Sequence, residues 1–388
     1  MTIVSTTTTF TRKGLNLDDE DFLSTIALNL LLYYFIQLIL AGSSNFSSSS
    51  TISLKMSQQL LLLFFFFFFL LHSKQAVSDF IVDKNGSGNF RTISEAIKNS
   101  PSNSAKRFHI KILKGIYEEN IIIGEDKINL VLVGEGIDKT IISGNRSARS
   151  GFKTYDTATV GVIGYGFTAK EITFENTAGP KQNQAVALRC EANHASFFRC
   201  KFKGYQDTLY AKNGHQFYRD CDIEGTIDFI CGDATVVLQN CLIAVHRPLL
   251  GQSNTITAQK RDKSNIVTGT IIHNSTIIAA ADLKQASPRA KTYLGRPWGN
   301  FAITVVMESY LADLVDPKGW LEWEDRRTDK VYYAEFRNKG PGANTRRRVP
   351  WSKVIQNSSE AELFTVKRFI HGESWIPKDI PFISGLLE

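Results

Sequence analysis

The chain has 388 residues, of which 43% are hydrophobic and 21% charged. That balance excludes a disordered or fibrous protein, and the length suits one large domain or two average ones. The formal net charge of +7 draws such a protein toward polyanions, nucleic acid and acidic polysaccharide alike.

Residues 1–76 read differently from the rest. Residues 26–41 are apolar but interrupted by Asn29 and Gln37, and they follow the acidic stretch from Asp18 to Asp21. Residues 60–71 form an unbroken Leu/Phe run of twelve. That is too short to span a bilayer as a helix and matches the apolar centre of a secretory signal. Met56 just ahead of it makes a natural start. Ser73 and Ala76 supply small residues for cleavage, although Lys74 sits badly between them. A membrane anchor is the alternative. The expectation is a removed extension over 1–76, a folded domain over 77–388, and no stable membrane insertion once the signal is gone. The net charge stays at +7 after removal. Export favours a polysaccharide partner over nucleic acid. The Asn-x-Ser/Thr sites at Asn85, Asn145, Asn274 and Asn357 are compatible with export.

Thr92 and Glu95 have capping-box spacing, which predicts a short helix halted near Pro101. From there the chain alternates β-rich runs (110–113, 130–133, 159–163, 172–174, 236–238) with Gly, Asn and Asp turns, and no helical period competes. Phe197-Phe198-Arg199-Cys200, Phe217-Tyr218-Arg219-Asp220-Cys221 and Val236-Val237-Leu238-Gln239-Asn240-Cys241 resemble one another, their cysteines 21 and then 20 residues apart. A period that short predicts an all-β parallel β-helix with one coil per repeat. A β-sandwich also spaces strands evenly, but without recurring equivalent residues.

Stacking has chemical consequences. Equivalent residues on adjacent coils lie about 4.8 Å apart, so a Cys221–Cys241 disulfide is expected, with a ladder of reduced buried thiols as the alternative. Five cysteines leave at least one unpaired. Asp207 and Asp228, 21 residues apart, occupy one coil step in Gly204-Tyr205-Gln206-Asp207 and Gly225-Thr226-Ile227-Asp228. Two carboxylates that close do not both ionise easily, and their proton affinities split. Such a pair supplies an acid and an anionic base or nucleophile at one pH; solvated turn aspartates are the bland alternative.

The ordered set Gln184-Ala185-Val186-Ala187-Leu188-Arg189, Tyr205-Gln206-Asp207-Thr208-Leu209-Tyr210, Gly225-Thr226-Ile227-Asp228-Phe229-Ile230 and Leu294-Gly295-Arg296-Pro297-Trp298 resembles the plant pectin methylesterases. Further matches are Gly115 to Glu119, Asn176 to Pro180, Gly319 to Trp323 and Gly340 to Ala343, so the resemblance covers Asp79 to the C-terminus. It implies a right-handed parallel β-helix, of the type without the inhibitor-like pro-region, acting as a monomer in the plant cell wall. The implied reaction is hydrolysis of the C6 methyl esters of homogalacturonan. By the same resemblance Asp228 matches the nucleophile and Asp207 the acid/base. Gln184 and Gln206 match the oxyanion donors, and Arg296 the partner that keeps Asp228 ionised. Thr154, Tyr155, Tyr210, Trp298 and Trp320 match cleft positions, with Trp323 either cleft or core. No cofactor or metal is implied, and a proteinaceous pectinesterase inhibitor is a possible partner.

His194, His215, His246 and His273 are scattered and read as structural, and Arg346 to Arg348 as a solvated face. The chain departs from the family at Cys231, where Phe is usual, at Asp233 for Asn, at Gly299 for Lys, and at Cys190. The Cys231 change is expected to strip aromatic surface from the cleft, and Asp233 to add charge near Asp228. A polygalacturonase would show Asp-Asp and Gly-His-Gly motifs, which are absent from residues 77–388. A pectate lyase would need calcium carboxylates in another arrangement. A wall-binding protein that keeps the cleft without turnover is the rival from another class.

Overall fold

Short β-branched and aromatic runs joined by tight turns cannot bury both faces alone, so the chain stacks coil upon coil. The computed structural model describes residues 78–324 and 328–387. The signal reading of residues 1–76, and the boundary expected after it, lie outside the described residues. Every pairing between named strands among the described residues is parallel. The strands form three sheets of eleven, seven and eight strands. This is a right-handed parallel β-helix, as the repeat and the resemblance together predicted.

The repeat is visible in the register. Phe217 pairs with Ser196 on the coil before and Val237 on the coil after. Inside the coils equivalent rings pile up: Phe174 stacks on Phe202 with centroids 5.6 Å apart, and Phe197 on Tyr218 at 4.7 Å. The predicted helix is α1 (Ile93–Asn99), and it packs Ile93, Ala96 and Ile97 against the first coils. Thr92 Oγ1 accepts from the Glu95 amide as the capping box requires. The Glu119 carboxylate, from the next coil, takes the Ile93 and Ser94 amides that the helix leaves open. At the other end, the C-terminal segment lays Phe369, Ile376 and Ile380 over Phe217, Val237 and Ile271 of the eleven-stranded sheet. Gln239 holds both the amide and the carbonyl of Ile383, each at 2.8 Å.

The expected Cys221–Cys241 bridge does not form; all five cysteines are buried free thiols. Each coil passes from the large sheet to the eight-stranded one through a left-handed residue: Arg199, Asp220, Asn240, Asn274 and Glu308 in turn. The residue that follows points inward, giving the ladder Cys200, Cys221, Cys241, Ser275 and Ser309, all buried. Stacked side chains with the same backbone conformation run parallel. A disulfide needs Cβ atoms roughly 3.5–4.5 Å apart, closer than the strand spacing of about 4.8 Å, so stacking in register does not by itself make one. Each group instead donates to a main-chain carbonyl: Cys221 Sγ to Phe197 O (3.5 Å), Cys241 Sγ to Tyr218 O (3.6 Å), and Ser275 Oγ to Leu238 O at 3.4 Å. Serine hydroxyls on the same ladder show what the thiols do there, which is to cap backbone.

Candidate active site

The seven-stranded sheet carries the site. Its strands run in order through Ile121–Ile123, Val160–Val162, Leu188–Cys190, Leu209–Ala211, Ile227–Gly232, Asn254–Gln259 and Thr292–Pro297. One register row crosses it through Arg189, Tyr210, Cys231, Ala258 and Arg296. The neighbouring row, Leu188, Leu209 and Ile230, is core. Period-two alternation therefore turns the first row outward, into a groove.

Asp207 and Asp228 stand at the upstream rim of this row, on adjacent coils. The Asp207 amide donates to Ile227 O at 3.1 Å, so the two aspartates are one rung apart. Both adopt the left-handed region, with φ of 60° and 50°, which costs a non-glycine residue energy and recurs at functional positions. At Asp228 the cause is a β-bulge. Ile227 pairs with Thr255 and Ile230 with Thr257, so two residues, Asp228 and Phe229, oppose one. The extra residue turns the Phe229 ring into the core and aims the Asp228 carboxylate outward. Gly225 makes room for this, because a Cβ there would lie 2.3 Å from Phe229 Cβ.

Asp228 is 5% exposed, and both of its carboxylate oxygens accept hydrogen bonds. Arg296 grips it with two nitrogens, Nε to Oδ1 at 2.9 Å and Nη2 to Oδ2 at 2.6 Å. Thr255 Oγ1 donates to Oδ1 at 2.6 Å and accepts from the Asp228 amide at 3.0 Å. Burial alone would depress the Arg296 guanidinium, but the hydrogen-bonded Asp228 carboxylate outweighs it and holds the cation above its usual range. Asp207 is treated differently. Among the described residues nothing donates to its carboxyl. Desolvation first, and the Asp228 charge second, push it well above the ordinary carboxylate value, against a weaker pull from Arg296. The pair is chemically unequal, one member gripped by Arg296 and Thr255 and the other without a donor and favoured as an acid.

Gln184 and Gln206 stack as bridge partners on the coils leading up to Asp207. Among the described residues neither side-chain amide has a partner, so both remain available to a ligand. The other wall is aromatic. Trp298 stacks on Trp323 at 6.2 Å and 14°, with Tyr210 tilted against it at 6.4 Å. The Arg296 guanidinium lies over Trp323 at 4.1 Å. Thr154 and Tyr155 lie in a 3-10 turn, Thr154–Thr157. Arg189, buried, packs its guanidinium 3.4 Å over the Tyr155 ring and donates to Tyr155 O at 2.6 Å.

Most of the expected residues thus converge. Trp320 does not: it is 1% exposed and packs edge-on against Tyr333 inside the coil, so it is core. The cleft tryptophan is Trp323, three residues on. Thr255 and Arg189 carried no assigned role in the sequence. Their signal was position, one coil after the Asp228 motif and at the end of the Gln184 motif. Cys231 is 3% exposed beneath the groove floor, its thiol pushed up by burial and then by Asp207 and Asp228. The Asp233 carboxylate takes the Thr268 hydroxyl and, at 3.4 Å, Gln259 Nε2. At Gly299 a Cβ would sit 2.2 Å from Arg261 O, which excludes any side chain. Of the histidines, His273 is wholly buried against Glu308 at 2.9 Å, and His246 bridges Glu224 and Asp282. Among the described residues no His/Cys/Asp/Glu group could hold a metal ion, and no helix is long and apolar enough to cross a membrane.

Fold and site define a β-helical protein with an unequal aspartate pair in an aromatic groove. The family model described as Pectinesterase matches residues 79–373, and the chain belongs to the pectinesterase family. It is 50% identical over 319 residues to "Probable pectinesterase/pectinesterase inhibitor 17" of Arabidopsis thaliana, covering 81% of this chain and 61% of that protein. It is 49% identical over 317 residues to "Pectinesterase/pectinesterase inhibitor" of Ficus pumila var. awkeotsang, covering 81% and 58%. The chain therefore spans about three fifths of the length of these relatives. Among solved structures, pectin methylesterase from carrot superposes with a TM-score of 0.80 at 42% identity, covering 81% of this chain and all of that one. Pectin methylesterase from Aspergillus niger superposes at 0.68 and 32% identity, covering 77% of this chain and 96% of that one.

Proposed function

We propose that the protein hydrolyses methyl esters of pectin, giving free galacturonate carboxylate and methanol, outside the cell in the plant wall. The observation that carries this reading is the inequality of the stacked aspartates: Asp228 gripped by two nitrogens of Arg296, Asp207 without a donor and poised as an acid. The pectinesterase names of the relatives supply the substrate.

Asp228 attacks the C6 ester carbonyl, and the oxygen's negative charge is met by the Gln184 and Gln206 amides. As the tetrahedral species collapses, the C–O bond to methoxide breaks and Asp207 gives it a proton, releasing methanol. Asp207, now anionic, takes a proton from water as the hydroxyl adds to the acyl-enzyme. The anhydride bond to Asp228 then breaks, restoring both side chains and freeing the galacturonic acid, which gives its proton to solvent. Tyr155, Tyr210, Trp298 and Trp323 offer ring faces to the sugars on either side. A pectinesterase inhibitor that covers this groove would block it.

The test is methanol release from methylated pectin, with Asp228→Asn beside the unaltered protein. Release by the unaltered protein and none by the variant supports the reading. Equal release by both removes Asp228 as nucleophile. Pectin binding without methanol from either would make the protein a wall-binding relative.

A further inference from the structure

We infer that Thr255 is a positioning residue that selects which oxygen of Asp228 attacks the ester; this rests on the esterase reading above. The Asp228 carboxylate offers roughly four lone-pair sites, two on each oxygen. Oδ1 accepts from Thr255 Oγ1 at 2.6 Å and from Arg296 Nε at 2.9 Å, which uses both of its sites. Oδ2 accepts only from Arg296 Nη2, at 2.6 Å. Oδ2 therefore keeps one in-plane lone pair, and it is the oxygen that forms the acyl bond. Arg296 touches both oxygens and does not by itself distinguish them; the Thr255 hydroxyl does.

The same hydroxyl also holds the backbone that aims the carboxylate. Asp228 sits in the bulge at φ 50°, where its amide has left the sheet ladder. A buried amide without a partner is costly, and here the partner is Thr255 Oγ1, which accepts it at 3.0 Å. One hydroxyl thus closes a ring, taking the amide of Asp228 and donating to its side chain. Thr255 is suited to this. It is 1% exposed, sits between Ile227 and Tyr293 in the sheet, and has a β-branched side chain with restricted χ1. Valine has the same shape and neither hydrogen-bonding capacity; serine keeps the hydroxyl.

The experiment compares the unaltered protein, Thr255→Val, Thr255→Ser and Asp228→Asn in methanol release from methylated pectin, with thermal melting of each. Losing a hydrogen bond to a charged group predicts a kcat about ten- to a hundredfold lower in Thr255→Val. KM is expected unchanged, since Thr255 is out of reach of the sugar, and Thr255→Ser restores most of kcat. If the valine variant fails to fold, Thr255→Ala replaces it. Methanol release that depends on Asp228 but is unaffected by Thr255→Val overturns the proposal and leaves the esterase reading standing. So does a serine variant that folds but is as slow as valine. A protein that releases no methanol at all overturns both.

Discussion

Arg296 reaches Asp228 from two coils away, 68 residues along the chain, and meets it side-on with Nε and Nη2 at 2.9 and 2.6 Å. The guanidinium is itself pinned from above by the Trp323 ring at 4.1 Å. A planar fork matched to both carboxylate oxygens is something lysine cannot reproduce. Arg296→Lys keeps the charge and loses one of the two hydrogen bonds and the stacking. The expected result is a fall in kcat of about ten- to a hundredfold with little change in fold. Steady-state methanol release and a thermal melt check it; a lysine variant with full kcat would show that charge alone suffices.

Asp207 gives a pH prediction with a definite sign. Its folded proton affinity is raised well above the ordinary value of 3.8 by burial and by Asp228. A carboxyl raised in the folded state contributes stability that is fully present below the unfolded value and lost as pH rises through the folded one. Above the unfolded value the unfolded chain releases this proton while the folded protein holds it, so the wild type loses stability as pH rises toward neutral. Asp207→Asn is expected to abolish turnover and yet melt higher than the wild type at neutral pH. That difference should shrink as pH falls toward the unfolded value. A melting difference independent of pH would mean that Asp207 binds its proton equally well in the folded and unfolded states.

Much of this was legible because a solenoid repeats. A period of 20 or 21 residues placed Asp207 beside Asp228 before any coordinates, and the register agrees. The same ruler misled at Cys221 and Cys241, which are free thiols: a coil period fixes Cα spacing but not the Cβ directions that a disulfide also needs. Trp320 and Trp323 show the other limit. Both lie in one motif, three residues apart, and only the strand path decides that Trp320 faces Tyr333 inside while Trp323 lies against Arg296. The bulge at Asp228 was hidden for a related reason, since two residues opposing one is a property of the pair of strands, not of either sequence.

The thiol ladder makes its own prediction. Cys200, Cys221 and Cys241 each donate to a main-chain carbonyl of their own or the preceding coil. Cys190 and Cys231 are buried and raised by desolvation, Cys190 to about 12. Buried, protonated thiols react slowly. Thiol titration of the folded protein is expected to find essentially none, and titration in denaturant without reductant to find all five. Three thiols in denaturant would mean a bridge had formed between two coils.

The aromatic wall predicts a division of labour between two tryptophans. Trp298 and Trp323 stack at 6.2 Å and present one continuous face, and Trp323 also supports Arg296. Removing Trp323 takes away a ring for sugar contact and the packing that keeps Arg296 in line with Asp228. Ring stacking is worth about 0.5–1.5 kcal/mol, so Trp323→Ala is expected to raise KM by about two- to tenfold. Loss of the Arg296 support should lower kcat as well. Trp323→Phe restores a ring face to both and should recover most of each, whereas Trp320→Phe, in the core, should lower the melting temperature and leave KM as it was. A Trp323→Ala variant with unchanged KM would place the sugar elsewhere, on Tyr155 beside Arg189.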